Sequence, residues 1–108
     1  MRRKRVFSLI TLLCFALAVV AAGKRFPLVI DAGHGGGDNG APGAYSNEKD
    51  LTLKYALAFG RYVERNCPDV KVIYTRTTDI FVTLAGRADI ANRNKADLFL
   101  SFHINAIT

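Results

Sequence analysis

The sequence predicts an α/β fold in which a mostly parallel sheet is flanked by helices. Three short apolar segments, rich in β-branched or aromatic residues, alternate with two segments whose apolar residues recur at helical spacing. Strand, helix, strand, helix, strand is the order typical of parallel sheets, because right-handed crossovers return each strand in the same direction. The carboxyl ends of the strands should therefore meet at one edge, where such folds bind ligands.

The amino terminus has the pattern of a secretory signal peptide. Basic residues at 2–5 precede an apolar run that extends from Val6 to Ala22 and ends in small residues. This run is shorter than the roughly 20 residues that a spanning helix needs, which favours cleavage over an uncleaved anchor. Cys14 lies in the middle of the run, which disfavours lipidation. We expect residues 1–22 to be removed, the protein to be exported to the periplasm or cell envelope, and no stable membrane insertion after cleavage.

The charge and cysteine content of the remaining residues 23–108 argue against a nucleic-acid-binding protein, an intramolecular disulfide and a cysteine-rich zinc site. Removal of the signal peptide lowers the net charge from +6 to +2, and the remaining basic residues are dispersed among acidic ones. No continuous basic surface is left for a nucleic acid. Cys67 is the only cysteine of this region, so an intramolecular disulfide is excluded and structural zinc of the cysteine-rich kind is excluded with it.

The first strand and the loop after it introduce the first histidine. Phe26–Asp31 is a short apolar segment that ends in an acid, which predicts a buried strand. Six glycines and a proline lie between Gly33 and Gly43, so this segment is a loop that can adopt positive φ angles and approach a ligand closely. His34 lies at the start of that loop, just beyond the carboxyl end of the strand.

The longer helix is predicted to begin near Glu48. Asn47 or Ser46 is a suitable N-cap, and Asp50 follows Asn47 at a spacing like that of a capping box. The helix should end near Asn66, ahead of a proline. The side chains expected to face the core are Leu51, Tyr55, Ala58, Phe59, Tyr62 and Val63.

The second half of the chain contains two strands and a shorter helix. Val70–Tyr74 and Leu98–Phe102 are predicted as strands, and residues 83–94 between them as a helix. The apolar residues that give the shorter helix its spacing are Leu84, Ala88 and Ala91. His103, the second and last histidine of the chain, directly follows the final strand.

His34, Glu48 and His103 together suggest a metal site. Each has a simpler explanation when considered alone: a loop histidine, a favourable acid in the first turn of a helix, and a hydrogen-bonded histidine at a strand end. The topology, however, should bring the ends of the two strands and the start of the helix together. Two histidines, a carboxylate and an open position are a common way to hold catalytic zinc.

Three motifs extend this evidence beyond the ligands. Asp-Ala-Gly-His-Gly-Gly at 31–36, Asn-Glu-Lys-Asp at 47–50 and Ser-Phe-His-Ile-Asn-Ala at 101–106 resemble the zinc-dependent N-acetylmuramoyl-L-alanine amidases of bacterial cell-wall turnover. The resemblance implies Zn²⁺ on His34, Glu48 and His103. It also implies hydrolysis of the amide between N-acetylmuramic acid and L-alanine, with peptidoglycan as partner and a regulatory protein as a further partner of unknown identity. Further positions that carry the resemblance are Gly40, Ala41, Gly43, Thr75, Arg76, Asp79, Leu84, Arg87, Ala91, Asn92 and Ala96–Leu98.

The general base that this resemblance implies lies outside the sequence. Related amidases have a further glutamate near the carboxyl end of the domain, which would fall beyond Thr108. Glu64 is the only other glutamate, and at 1.5 Å per residue it lies about 24 Å along the helix from Glu48. We therefore expect residues 23–108 to be the amino-terminal part of an amidase catalytic domain, with a sheet incomplete at its carboxyl end. The alternatives are a non-catalytic metal-binding or peptidoglycan-binding module and an incomplete fragment that does not fold alone.

Other residues near these motifs have less specific roles. Asp31 either orients a ligand histidine or caps the turn after its strand. Asn105 either touches substrate or closes its loop, and Arg76 with Asp79 suggests a structural pair or turn. Residues 35–40 also match the dinucleotide-binding pattern G-x-G-x-x-G, but no helix is predicted to open on these glycines, so we do not expect nucleotide binding.

Overall fold

A computed structural model describes residues 25–105 of the chain. The predicted signal peptide lies outside the described residues. The described chain forms all five predicted elements in the predicted order, and each boundary lies within one residue of its expected position. These are the strands β1 (Phe26–Ala32), β2 (Val70–Tyr74) and β3 (Leu98–Phe102) and the helices α1 (Glu48–Asn66) and α2 (Leu84–Arg93).

The three strands form a parallel sheet in the order β2-β1-β3. Phe26 pairs with Val70 on one side of the central strand, and Leu28 pairs with Leu98 on the other. Both helices therefore serve as crossovers between parallel strands, as the alternation of elements predicts. The α/β fold with a mostly parallel sheet is confirmed, and the carboxyl ends of β1 and β3 lie side by side.

Helix α1 packs on one face of the sheet through its small residues. Its buried residues are Glu48, Thr52, Ala56, Gly60 and Val63. The apolar stripe expected to face the core is therefore buried only at Val63 and half-buried at Leu51, and its other members are exposed. Three members of that stripe, Tyr55, Phe59 and Tyr62, are 51%, 36% and 65% exposed. Small side chains let the helix backbone approach the strands closely, and apolar spacing alone could not distinguish this face from its neighbour.

The core lies between α1 and the sheet. Its buried apolar residues are Leu28, Ile30, Ala32, Ala56 and Val63, and Leu100 and Phe102 of β3 pack against them. Because side chains alternate along a strand, Asp31 points to the opposite face, where it meets Arg87 of α2. The two helices thus cover opposite faces of the sheet.

The two helix starts differ in how they are capped. Thr83 caps α2, since its side-chain oxygen accepts a hydrogen bond of 2.9 Å from the backbone N–H of Gly86. Asn47 occupies the N-cap position of α1, but its side chain makes no capping hydrogen bond. Its backbone carbonyl instead accepts from the N–H of Asp50 at 3.1 Å. The predicted start of α1 is correct, whereas the capping-box interaction does not form.

Neither helix within residues 25–105 has both the length and the apolar content that a membrane-spanning helix needs.

Candidate metal centre

The folded chain brings His34, Glu48 and His103 together at the carboxyl edge of the sheet. Glu48 Oε2 lies 3.1 Å from His34 Nε2 and 3.4 Å from His103 Nδ1. The two imidazole rings meet nearly at right angles, with their centroids 5.0 Å apart. Three segments that are distant in sequence therefore converge on one point: the loop after β1, the first residue of α1 and the residue after β3.

The spacing of these three side chains suits a small divalent cation. Their ligand atoms all lie within 4.8 Å of one another, and within residues 25–105 no other histidine, cysteine or carboxylate joins the cluster. Tetrahedral zinc with bonds of about 2.0–2.1 Å places its ligand atoms about 3.3 Å apart. The separations of 3.1 and 3.4 Å agree with that value. The three-ligand set would leave a fourth position open.

Asp38 fixes the orientation of the His34 ring. Its Oδ2 lies 2.9 Å from His34 Nδ1, while the Nε2 atom on the far side of the ring faces Glu48. A carboxylate that accepts from one ring nitrogen holds the tautomer in which the other nitrogen can bind a metal. The hydrogen bond to His34, with a second from the N–H of Gly40, holds the pKa of Asp38 below its usual value.

Glu48 is a buried carboxylate that remains ionised. Burial alone would raise its pKa, but hydrogen bonds from the backbone N–H groups of Ala41 and Ile104, together with the nearby His34, lower it below the usual value. Ala41 donates to Oε1 at 2.9 Å and Ile104 donates to Oε2 at 2.8 Å. Glu48 is therefore held in place by both flanking loops and is more than a first-turn charge on a helix.

Glycines at two positions make room for the metal-site side chains. A methyl group at Gly33 would come within 2.6 Å of Nε2 and 2.8 Å of Nδ1 of His103. At Gly40, which has a φ of 66°, it would lie 2.7 Å from the His34 ring and 2.9 Å from Glu48 Oε1. Real Cβ atoms essentially never approach so closely, so the glycine-rich loop is part of the construction of the site.

Asp31 connects three elements and does not contact either histidine ring through a hydrogen bond. Its carboxylate accepts from Thr75 at 2.7 Å, from Arg87 at 2.8 Å and from Ser101 at 2.6 Å. Burial alone would raise its pKa, but these three donors and the charge of Arg87 hold it below the usual value. Of the two expected roles, neither direct orientation of a histidine nor capping of the next turn describes these contacts.

Arg76 and Asp79 both support the histidine loop, but they form no direct ion pair. Arg76 donates to the carbonyls of Gly33 and Lys49, which connects the loop to α1. Asp79 accepts from the backbone N–H of Gly36 and from Lys49 Nζ. The expectation of a structural role fits these contacts, whereas the expected pair is replaced by two separate sets of hydrogen bonds.

The metal-site side chains border an open pocket. A pocket of about 380 Å³ is lined by both histidines and by Phe81 and Val82 of the loop before α2. Asn105 lies on the other side, where a smaller depression of about 230 Å³ also includes Glu48 and Pro42. A substrate could reach the cluster from the first pocket, and Asn105 borders the site without a hydrogen bond to any of the three side chains.

The glycine string at 35–40 does not adopt a dinucleotide-binding geometry. It forms a tight loop in which Gly35 and Asp38 exchange backbone hydrogen bonds, and the next helix begins only at Glu48. No helix N-terminus therefore opens on these glycines, as expected.

Comparison with known proteins identifies the family. Residues 28–108 match the model of the N-acetylmuramoyl-L-alanine amidase family. The amidase AmiC of Escherichia coli is 43% identical over 90 residues, which cover 81% of this chain and 21% of AmiC. The sporulation-specific amidase of Bacillus subtilis is 43% identical over 79 residues, or 73% of this chain and 31% of the relative.

Solved structures show the same relationship. The catalytic domain of the amidase CwlV from Bacillus (Paenibacillus) polymyxa aligns with a TM-score of 0.71 at 39% identity, covering 74% of this chain and 45% of that one. The amidase AmiC2 of Nostoc punctiforme gives 0.70 at 41% identity, covering 76% and 45%. The chain thus spans less than half the length of these relatives. Its fold, its motifs and the family match agree, and the chain belongs to the N-acetylmuramoyl-L-alanine amidase family.

Proposed function

We propose that this chain carries the metal-binding part of a zinc-dependent amidase that cleaves the bond between N-acetylmuramic acid and the L-alanine of the stem peptide. His34, Glu48 and His103 are the proposed zinc ligands. The observation that carries the proposal is the convergence of these three side chains, within 4.8 Å, in a member of this family. Peptidoglycan is the proposed substrate because the relatives are named for this amidase activity.

The chain's own residues prepare the site for this chemistry. Asp38 presents Nε2 of His34, and two backbone N–H groups keep Glu48 ionised and immobile. Zinc held by three such ligands supplies an activated water and polarises the carbonyl of an amide. The pocket beside the two histidines gives a large substrate access to that position.

The proposed location follows from the substrate. Peptidoglycan lies outside the cytoplasm, and a further relative, from Staphylococcus aureus, is named a probable cell wall amidase. We propose that residues 1–22 are a signal peptide that directs export and that residues 23–108 form the amino-terminal part of the catalytic domain. Peptide sequencing of the exported protein tests this boundary: a new amino terminus at Gly23 is expected, and an intact Met1 would contradict it.

Metal analysis of the purified full chain tests the zinc site. We expect about one zinc per chain, and His34→Ala or His103→Ala should lose most of it because two ligands hold zinc far less well than three. Glu64→Ala is the matched control, since it removes an exposed carboxylate elsewhere on α1. Well-folded protein without zinc would refute both the enzyme and the metal-binding module.

A non-catalytic binding module is the second candidate function. Within residues 25–105, the two carboxylates that line the pocket beside both histidines are already engaged: Asp38 bonds His34 and Gly40, and Asp31 is held by its three donors. Neither is free to act as a general base. Incubation with purified cell wall distinguishes the candidates: new L-alanine amino termini support the enzyme, whereas zinc binding without their release supports the module.

A further inference from the structure

Two buried arginines hold three consecutive backbone carbonyls at the end of β1. Arg76 donates from Nε to Ala32 at 2.9 Å and from Nη2 to Gly33 at 3.0 Å. Arg87, which belongs to α2, donates from Nη1 to Ala32 at 2.6 Å and from Nη2 to His34 at 2.7 Å. Both side chains are almost completely buried. The backbone that carries the first metal ligand is therefore fixed by guanidinium groups from outside its own loop.

The backbone at His34 needs such support. His34 has a φ of 63°, in the left-handed region that costs a residue with a side chain about 1–3 kcal/mol and persists only when neighbouring groups enforce it. Glycines lie on both sides of it, and they place little restriction on the chain. Within the described residues, Arg87 is the side chain that donates to the His34 carbonyl.

The guanidinium of Arg87 is itself held on several sides. Its Nε donates to the carbonyl of Val82 at 2.9 Å, and its Nη1 forms an ion pair of 2.8 Å with the buried Asp31. A planar group with fixed donor directions can satisfy all these acceptors together, whereas the point charge of a lysine cannot. The contact to His34 is therefore rigid and has a defined direction.

We propose that Arg87 is a positioning residue for the metal centre: it holds the left-handed backbone of His34 so that the ring faces Glu48 and His103. The proposal rests on the proposed zinc site and adds a role for α2, which supplies no ligand of its own. Removal of the guanidinium would leave the His34 backbone free to relax, and the three ligand atoms would no longer be preorganised. Metal affinity should then fall even in a folded protein.

Zinc affinity of the full chain, measured by competition with a chromogenic chelator, tests the proposal. Arg87→Lys should weaken zinc binding by about 10–100-fold, the usual effect of losing a group that orients a ligand. Thr75→Val is the matched control, because it removes a hydrogen bond to the same oxygen of Asp31 and leaves the His34 carbonyl contact intact. Its zinc affinity should stay within about two-fold of the parent value.

A spectroscopic readout separates positioning from general destabilisation. The absorption spectrum of bound Co²⁺ reports ligand geometry, so Arg87→Lys should alter it while Thr75→Val keeps the parent spectrum. Arg93→Lys, at an exposed position on the same helix, is a further control. If Arg87→Lys does not fold, the neutral pair Asp31→Asn with Arg87→Gln removes both partners of the buried ion pair together and should show the same loss of affinity.

The outcomes are distinguishable. Parent affinity and an unchanged Co²⁺ spectrum in a folded Arg87 variant would overturn the positioning role and leave the zinc site intact. An equal loss in Thr75→Val would also overturn it, since the effect would then follow stability. A parent chain that folds and binds no metal would instead refute the proposed function itself.

Discussion

At the scale of single residues, the proposed metal centre depends on groups that are not themselves proposed ligands. Apolar patterns place His34, Glu48 and His103 at strand ends and a helix start, and the resemblance to zinc-dependent amidases implies that they are ligands. Arg87 is among the positions that carry the resemblance, but its role depends on where α2 packs and cannot be read from the sequence. Asp38 did carry a local signal, an acid four residues after His34 in a glycine loop, but the spacing alone does not say that the two side chains meet. The role of Asp38 therefore emerges only from the folded loop.

Asp38 can be tested without disturbing the core, because its side chain is about half exposed. Asp38→Ala should weaken zinc binding by about 10–100-fold, because the His34 ring loses the group that orients it. Asp38→Asn retains an acceptor oxygen and should lose less. The measurement is chelator competition, with thermal unfolding of the metal-free protein recorded in parallel and Glu64→Ala as a control for the lost charge. Equal affinities for Asp38→Ala and the parent would show that the ring is oriented by other contacts.

Asp31 should make stability depend on pH in the acid range. Its pKa lies below 3.8 in the folded chain, so the ionised carboxylate stabilises the fold above about pH 4, and this contribution is lost as the pH falls through the folded pKa. At neutral pH, Asp31→Asn should cost about 3–5 kcal/mol because it leaves Arg87 buried without its partner.

Urea unfolding of metal-free protein between pH 7 and pH 2 checks this expectation. The difference between the parent and Asp31→Asn should shrink as the pH falls from about 4 through the lowered folded pKa, because the parent carboxylate is protonated first in the unfolded chain and then in the folded one. A constant difference across this range would mean that the charge of Asp31 does not contribute.

At the scale of elements, apolar periodicity was a reliable guide to where helices and strands lie and a poor guide to which face is buried. All five elements appear as predicted. The aromatic residues of α1 suggested that their face of the helix packs on the sheet. The face that packs there instead carries Thr52, Ala56 and Gly60. How closely the helix backbone can approach the strands decided which of the two faces is buried, and this distance depends on the surface of the sheet. That information is not present in the periodicity of a single helix.

Gly60 tests this close approach. A methyl group there would lie 2.5 Å from Cζ of the Tyr74 ring in β2, so Gly60→Ala should destabilise the fold by about 1–2 kcal/mol. This is a net value, since alanine itself favours a helix by up to about 1 kcal/mol over glycine. Gly37→Ala, where the methyl group meets open space, is the matched control and should leave stability unchanged or slightly raised. Thermal unfolding of the metal-free variants decides the question, and a higher Tm for Gly60→Ala would contradict the close packing.

At the scale of the whole molecule, the proposed metal centre joins three segments that are distant in sequence. His34, Glu48 and His103 lie on three different parts of the chain, so a bound ion would crosslink the loop after β1, the start of α1 and the end of β3. An ion that binds only the folded state stabilises it by an amount that grows with the logarithm of the ratio between the free ion concentration and Kd.

Zinc should therefore raise the Tm of the full chain, and a chelator should lower it again. At free zinc 100-fold above Kd the stabilisation is about 2.7 kcal/mol, which corresponds to roughly 10–20 °C for a domain of this size. Differential scanning calorimetry with and without zinc measures the shift, and His34→Ala should largely lose it. A zinc-dependent shift of equal size in His34→Ala would mean that the ion stabilises the protein from another position.

The order of strands in the sheet has a consequence for how the chain folds during synthesis. The central strand is made first, yet its partners follow it by 44 and 70 positions, since residue 26 pairs with residue 70 and residue 28 with residue 98. During synthesis, one edge of this apolar strand therefore has no partner until β3, the last strand of the described residues, has been made. Such long-range pairing is intrinsically slow and leaves the growing polypeptide prone to aggregation.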